Sequence, residues 1–336
     1  MPSPYRLFGL ELSPYSVKVR SYLRYKGIEH EWVVRDSSNV EEYQRRARLP
    51  LIPLLITPED EVLQDSTPMI EALESRFPEP SIHPSIQPAG PAEAFLSALL
   101  EEYADEWGNK PMFHYRWWYE ADRESAARRI ATASFPEADG EALEGIVATV
   151  QQRMVPRLSF VGSSEQTRGL IEASFGRQMR ILETHLEGRD YIFGGRPAFA
   201  DFGLWGQLYN LHSDPTAGAV LEAEAPRLVD WIRRMLEPRA EGDFEPWHEL
   251  APTLEPLLEQ EIGAIFLPWS SANAEAIAAG EKSFRVELAG QDFSQEAQKY
   301  HARSLAALKA RYQNLADRSE LDPILERTGC LAWLQD

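Results

Sequence analysis

The sequence predicts a small α+β domain built on a mixed sheet, followed by a larger and almost wholly helical region. Two observations carry this. In the first eighty residues short apolar runs alternate with stretches of helical spacing, each bounded by Ser-Pro, Gly, Pro or Asp-Ser signals. From Ala92 onward the apolar period is that of helices, and residues 81–91, with Pro84, Pro88 and Gly90, read as the linker between the two regions. A chain of 336 residues is long enough for two domains and a sizeable core.

The elements follow in order. Tyr5 to Leu10 is an apolar run that reads as a strand, and Val17 to Tyr25 has helical spacing; between them stands Ser13-Pro14-Tyr15-Ser16. Ser13 as an N-cap with Pro14 at the first helical position accounts for that turn. The same geometry also sets a hydroxyl beside the free N–H groups of a helix start, where a thiolate is stabilised. Ser16 falls inside the first helical turn, where serine more often bonds backbone, and ranks below Ser13. Gly27 ends the helix, His30 to Val34 reads as a second strand, and Val40 to Arg48 as a short helix. In Leu49 to Ile56, Pro53 cannot donate to a ladder, so it belongs at a strand start or in a turn, where a cis bond is tolerated. Glu61 to Leu63 is a short partner strand, and Asp65-Ser66-Thr67-Pro68 starts an amphipathic helix carrying Ile70, Leu73 and Phe77. The resulting order, β-α-β-α-β-β-α, is the thioredoxin-like arrangement.

Charge narrows the function. With 34 basic against 53 acidic residues the net charge is −19, which repels phosphate backbones and anionic lipid, so neither nucleic acid nor membrane is an expected partner. No apolar run spans a bilayer, and Met1-Pro2-Ser3-Pro4 lacks the features of a secretory leader; a cytoplasmic location is expected. The single cysteine, Cys330, can form neither an intrachain disulfide nor a Cys-x-x-Cys pair, so sulfur chemistry needs a thiol from outside. His114 has no second ligand at metal spacing, and no metal is expected.

Ser13-Pro14-Tyr15 after the first strand, Ile52-Pro53 before the third and Asp65-Ser66 before the third helix together resemble the N-terminal domain of a glutathione S-transferase, of the serine-type, tau-, zeta- or theta-like kind. The resemblance implies that Ser13 is catalytic, its hydroxyl donating to the glutathione sulfur. It implies that Ile52, before a cis Pro53, pairs through its backbone with the cysteinyl part, and that Asp65 and Ser66 hold the γ-glutamyl ammonium and carboxylate. Helix capping accounts for Asp65 and Ser66 as well, and uses the same N–H groups. Where tau-like members often carry lysine, Leu51 stands, so the glycine carboxylate needs another partner: Arg45, Arg46 or Arg48, with Arg48 preferred, unless these form only a solvated helix face. Glutathione is then a co-substrate, with no tightly bound cofactor, and the expected partner protein is a second copy of the chain.

The helical remainder is assigned in the same way. Phe95, Leu99, Leu100, Tyr103 and Trp107 share one helix face, which the resemblance places at a dimer interface and against the glutathione site. Tyr15, Tyr103, Trp107, His114 and Trp117 are candidates for an aromatic electrophile pocket, although the stretch Met112 to Tyr119 serves equally as a core layer. Residues 120–165 read as an inserted pair of helices. Tyr191 to Asp201 resembles the buried helix start of the family's C-terminal domain, with Ala198 where Ser or Thr normally caps, a loss of about 1 kcal/mol unless another group caps. The helical domain runs over 92–237, and 238–336 is a mostly helical extension packed on it. In that extension Pro238 to Pro256 is expected to wrap the surface, Ser283 to Leu288 to form a strand, and Ser294 to begin a helix bearing His301, Leu305, Leu308, Tyr312 and Leu315. The function expected is conjugation of glutathione thiolate to a small hydrophobic electrophile; a catalytically silent binding or scaffold protein on the same fold is the alternative.

Overall fold

The computed structural model describes residues 4–78 and 84–335, so residues 81–83 of the expected linker lie outside the described residues. Strand β1 (Tyr5–Gly9) leads through helix α1 (Pro14–Tyr25) to β2 (His30–Val34), then α2 (Val40–Arg46), β3 (Leu54–Ile56), β4 (Val62–Gln64) and α3 (Ser66–Arg76). The sheet order is β2-β1-β3-β4. β2 runs parallel to β1, with Tyr5 opposite His30, while β3 runs antiparallel to both β1 and β4. This is the thioredoxin-like arrangement. At the end of β1 only glycine fits: a Cβ on Gly9 would lie 2.5 Å from the Trp32 ring and 2.8 Å from Ser16 Cβ. That close approach fixes where the chain turns into α1.

The helical domain comprises α4 (Pro91–Tyr103), α5 (Asn109–Trp118), α6 (Glu120–Ser134), α7 (Gly140–Met154), α8 (Arg168–His185), α9 (Phe199–His212), α10 (Pro215–Glu224) and α11 (Pro226–Arg234). A five-residue π-helical turn, Ala104–Gly108, joins α4 to α5 without a break. α6 and α7 pair with each other, are closed by a 3₁₀ turn over Val155–Val161, and pack on Trp117 through Ala126, Ala127, Ala131 and Val147. α9 is buried all round and crosses α1 at Gly206, where a Cβ would meet the Pro14 carbonyl oxygen at 2.6 Å. The two domains are thereby pressed together at the turn that carries Ser13.

At the start of α9 the Asp201 carboxylate accepts from the N–H groups of Ala198 (2.8 Å) and Ile192 (2.9 Å) and from Trp231 Nε1 (2.9 Å). Ala198 has no side-chain acceptor to offer, and Ser97 Oγ on α4 supplies one instead, accepting from Ala200 N at 3.1 Å.

The extension departs from expectation at two points. Residues up to Pro246 cross the surface, with Gly195 N donating to the Asp243 carbonyl at 2.9 Å, but α12 (Trp247–Leu257) then forms despite Pro252 and Pro256. Leu250, Leu254 and Leu257 are fully buried on it, and burial worth about 2 kcal/mol per leucine offsets the lost ladder bonds. A π-helical stretch, Leu258–Phe266, continues into α13 (Leu267–Ala279). β5 (Ser283–Leu288) is as expected, but Ser294 begins no helix: it lies within a second strand, β6 (Gln291–Glu296), joined to β5 by a two-residue turn with Ala289 and Gly290 both at positive φ. The helix starts later, as α14 (Lys299–Gln313), and α15 (Leu321–Arg327) and α16 (Leu331–Leu334) complete the chain. Cys330 is fully buried, with Thr328 Oγ1 and the Leu258 carbonyl against its sulfur. Among the described residues no helix is long and apolar enough to cross a membrane.

Candidate functional site

A cavity of about 670 Å³ opens between the two domains, and every stretch that signalled a function in the first eighty residues reaches it. Ser13 lines it at the N-terminus of α1. Its backbone is extended (φ −102°, ψ 109°), and its Oγ accepts from Ser16 N at 3.3 Å and from Ser16 Oγ at 2.9 Å. A hydroxyl that accepts from two donors keeps its own proton for a third group, and the Ser16 bond polarises it further. Ser16 itself is fully buried and lines no part of the cavity. Beside Ser13, Tyr15 faces the cavity but its hydroxyl is engaged, donating to the Asp105 carbonyl (2.9 Å) and accepting from Asn109 Nδ2 (3.2 Å). Burial raises its pKa well above that of an ordinary tyrosine, with Asp105 and Glu106 adding to the effect.

The opposite wall is the loop before β3. The Ile52–Pro53 bond is cis, and both residues line the cavity with Arg48, Leu49 and Leu51. One side chain holds this loop in shape. Gln64 accepts from Arg48 N (3.1 Å) and Leu49 N (3.2 Å) and donates to the carbonyls of Leu49 and Leu51 (both 2.7 Å). Nothing in the sequence marks Gln64, because its role depends on a loop closing around it. Of the three arginines only Arg48 lines the cavity; Arg46 is paired with Asp60 at 2.6 Å.

Asp65 and Ser66 close the third side. Asp65 stands at φ +84°, a conformation that costs a non-glycine residue about 1–3 kcal/mol, and the backbone N–H groups of Ser66 and Thr67 at the start of α3 act on its carboxylate. Burial raises the Asp65 pKa, and Lys18 pulls it down. Lys18 is fully buried, donating to Asp105 Oδ2 (2.7 Å), Thr67 Oγ1 (3.2 Å) and Glu101. Burial alone would strip its proton; Asp105 and Glu101 outweigh it and raise the pKa.

The apolar end is built from stretches whose role the sequence left open. Phe113 and Trp117 on α5 face Ile130 of α6, Met154 of α7 and Phe160 of the 3₁₀ turn across the cavity. Tyr103, Trp107 and His114 are not part of that wall. Tyr103 packs edge-on against Phe266, and Trp107 against Trp269 and Phe293, all from the extension. His114 is buried between Ser163 Oγ (2.8 Å) and Glu172 Oε1 (3.1 Å). The shared face of Tyr103 and Trp107 is real, but the chain's own extension covers it. The extension also reaches the cavity: Gln298, Tyr300 and His301 line it, with the Tyr300 hydroxyl 3.4 Å from the Asp65 carboxylate.

Comparison with known proteins agrees with this architecture. Residues 7–81 match the family model "Glutathione S-transferase, N-terminal domain", and residues 138–234 match "Glutathione S-transferase, C-terminal domain". The chain belongs to the glutathione S-transferase superfamily. An isoprene-epoxide–glutathione S-transferase of Rhodococcus sp. (strain AD45) is 25% identical over 228 residues, covering 67% of this chain and 92% of that relative. Among solved structures, a β-etherase from Sphingobium sp. strain SYK-6 superposes with a TM-score of 0.50 at 21% identity, over 69% of this chain and 95% of the other, a likeness of fold.

Proposed function

We propose that the chain binds glutathione in the interdomain cavity and transfers its thiolate to a small hydrophobic electrophile, with Ser13 stabilising the thiolate. The observation that carries this is the convergence of Ser13, the Ile52–Pro53 loop and Asp65-Ser66 on one cavity whose far end is apolar. The α1 N-terminus and the unspent Ser13 proton favour sulfur as the anion, which is the attacking form. Asp65 and Ser66 suit an amino-acid ammonium and carboxylate, and Arg48 suits the second carboxylate in place of the lysine that Leu51 displaces. The electrophile lies against Phe113, Trp117 and Ile130. No bound cofactor is needed, because the thiol is the co-substrate.

Calorimetric titration with glutathione tests the binding. Heat with the wild type, weakened about tenfold in Ser66→Ala, is the expected result; no heat with either protein would sink the proposal and favour a scaffold. Ultraviolet titration of the bound thiolate should show its pKa higher in Ser13→Ala, with conjugation slowed about 100-fold.

A further inference from the structure

Glu106 occupies the middle of the π-helical turn Ala104–Gly108, an interruption of helix geometry that is found most often at functional sites. It lines the cavity with Ser13 yet is only 4% exposed. His301 Nδ1 of α14 is hydrogen-bonded to one carboxyl oxygen, and Ser304 Oγ, whose closer bond is to Glu102, lies 3.3 Å from the other. Among the described residues no lysine or arginine nitrogen makes an ion pair with it. A carboxyl so placed is best kept neutral, carrying a proton at the edge of a reaction chamber.

We propose that Glu106, positioned by His301, is the acid that protonates the electrophile, and that the electrophile is therefore one whose carbon–oxygen bond breaks on attack, an epoxide or an ether. This rests on the thiolate reading above. As the sulfur–carbon bond forms, the carbon–oxygen bond breaks and its electron pair passes to oxygen. The Glu106 carboxyl gives that oxygen its proton, and the carboxylate left behind is reprotonated from water. An alkoxide is a poor leaving group without such a proton, whereas a halide leaves without one.

The other groups around the cavity are unsuited or engaged. The Tyr15 proton is held by the Asp105 carbonyl. Tyr300 faces Asp65. Lys110 lies 3.9 Å over the Trp269 ring and donates to Gln295 Oε1 (2.7 Å) and the Val161 carbonyl (3.3 Å). In support, burial raises the Glu106 pKa against the pull of Lys110, with Glu101 and Asp65 adding to the rise, and burial together with Lys110 lowers that of His301.

The test compares two substrates of one skeleton, styrene oxide and 2-phenylethyl bromide. In Glu106→Gln the epoxide-to-bromide ratio of kcat should fall about 100-fold, and in Glu106→Asp it should recover in part. In the wild type, D2O should slow the epoxide reaction and not the bromide reaction, a readout that needs no variant to fold. An equal loss on both substrates, or no isotope effect on the epoxide, would overturn the acid. Wild type that conjugates the bromide but not the epoxide would overturn this proposal and leave glutathione conjugation standing; failure to bind glutathione would remove both.

Discussion

Ser97 caps a helix it does not belong to. Its hydroxyl, on α4, receives the second N–H of α9, the place a side chain at Ala198 would otherwise serve. Ser97→Ala should therefore cost about 1 kcal/mol of stability, and Ala198→Ser should restore little to the wild type, since that amide is already satisfied; chemical denaturation of the two variants checks both. Asp201 is a harder case. Burial lifts its pKa to about 7 even though three N–H donors face it. Asp201→Ala leaves those donors buried and unpaired, and a loss of about 3 kcal/mol or more is expected in the same experiment. The sequence shows Asp201 in its familiar place but not Ser97, because the bond spans more than a hundred residues.

At the scale of elements, Gln64 ends β4 and holds the 48–51 loop by four hydrogen bonds, so Gln64→Ala should raise the KM for glutathione about tenfold, or ~1.4 kcal/mol, with little change in kcat. His185 ties α8 to α12 through Thr253 Oγ1 (2.8 Å) and accepts no charge: burial lowers its pKa from 6.5 to about 4. The unfolded chain takes up a proton below pH 6.5 that the folded chain refuses until about pH 4, so this contribution is intact above pH 6.5 and is lost as pH falls. Wild type should lose about 3 kcal/mol over that interval relative to His185→Gln, read as the difference between their stability–pH curves. The first seven elements were legible because Ser-Pro, Ile-Pro and Asp-Ser punctuate short apolar runs. β6 was not. Gln291-Asp292-Phe293-Ser294-Gln295-Glu296 turns inward only Phe293 and a glutamine, and that glutamine is buried because Lys110 and Trp269, both distant in sequence, donate to it. α12 was hidden for the opposite reason: its prolines announce a break that three buried leucines override.

At the scale of the molecule, the end of the cavity that carries Ser13, Pro53 and Asp65 is encoded by the first eighty residues, while the apolar end draws on α5, α6, α7 and the 3₁₀ turn, and the extension adds Gln298, Tyr300 and His301. The positions assigned to Tyr103 and Trp107 could not be read correctly without knowing that a hundred later residues would fold over them, and that of His114 without knowing that Ser163 and Glu172 would enclose it. α14 also lies along α4, with Tyr312 edge-on to Phe95 at 5.8 Å, Ser304 bonded to Glu102, and Arg311 reaching Glu71 on α3. That is the helix the family resemblance assigns to a dimer interface, so sedimentation should report a single-chain species; a dimer would require contact through another face. The burial of Cys330 has a bearing on survival. An enzyme of the proposed function would risk being consumed by its electrophiles, and the most vulnerable atom of such a protein is a thiol. Here the one sulfhydryl is sealed against the π-helical stretch Leu258–Phe266 at the start of α16, with burial raising its pKa to about 11, so almost none exists as thiolate at neutral pH. A disulfide reagent should find no reactive thiol in the native protein and one after unfolding, and turnover should proceed without self-alkylation.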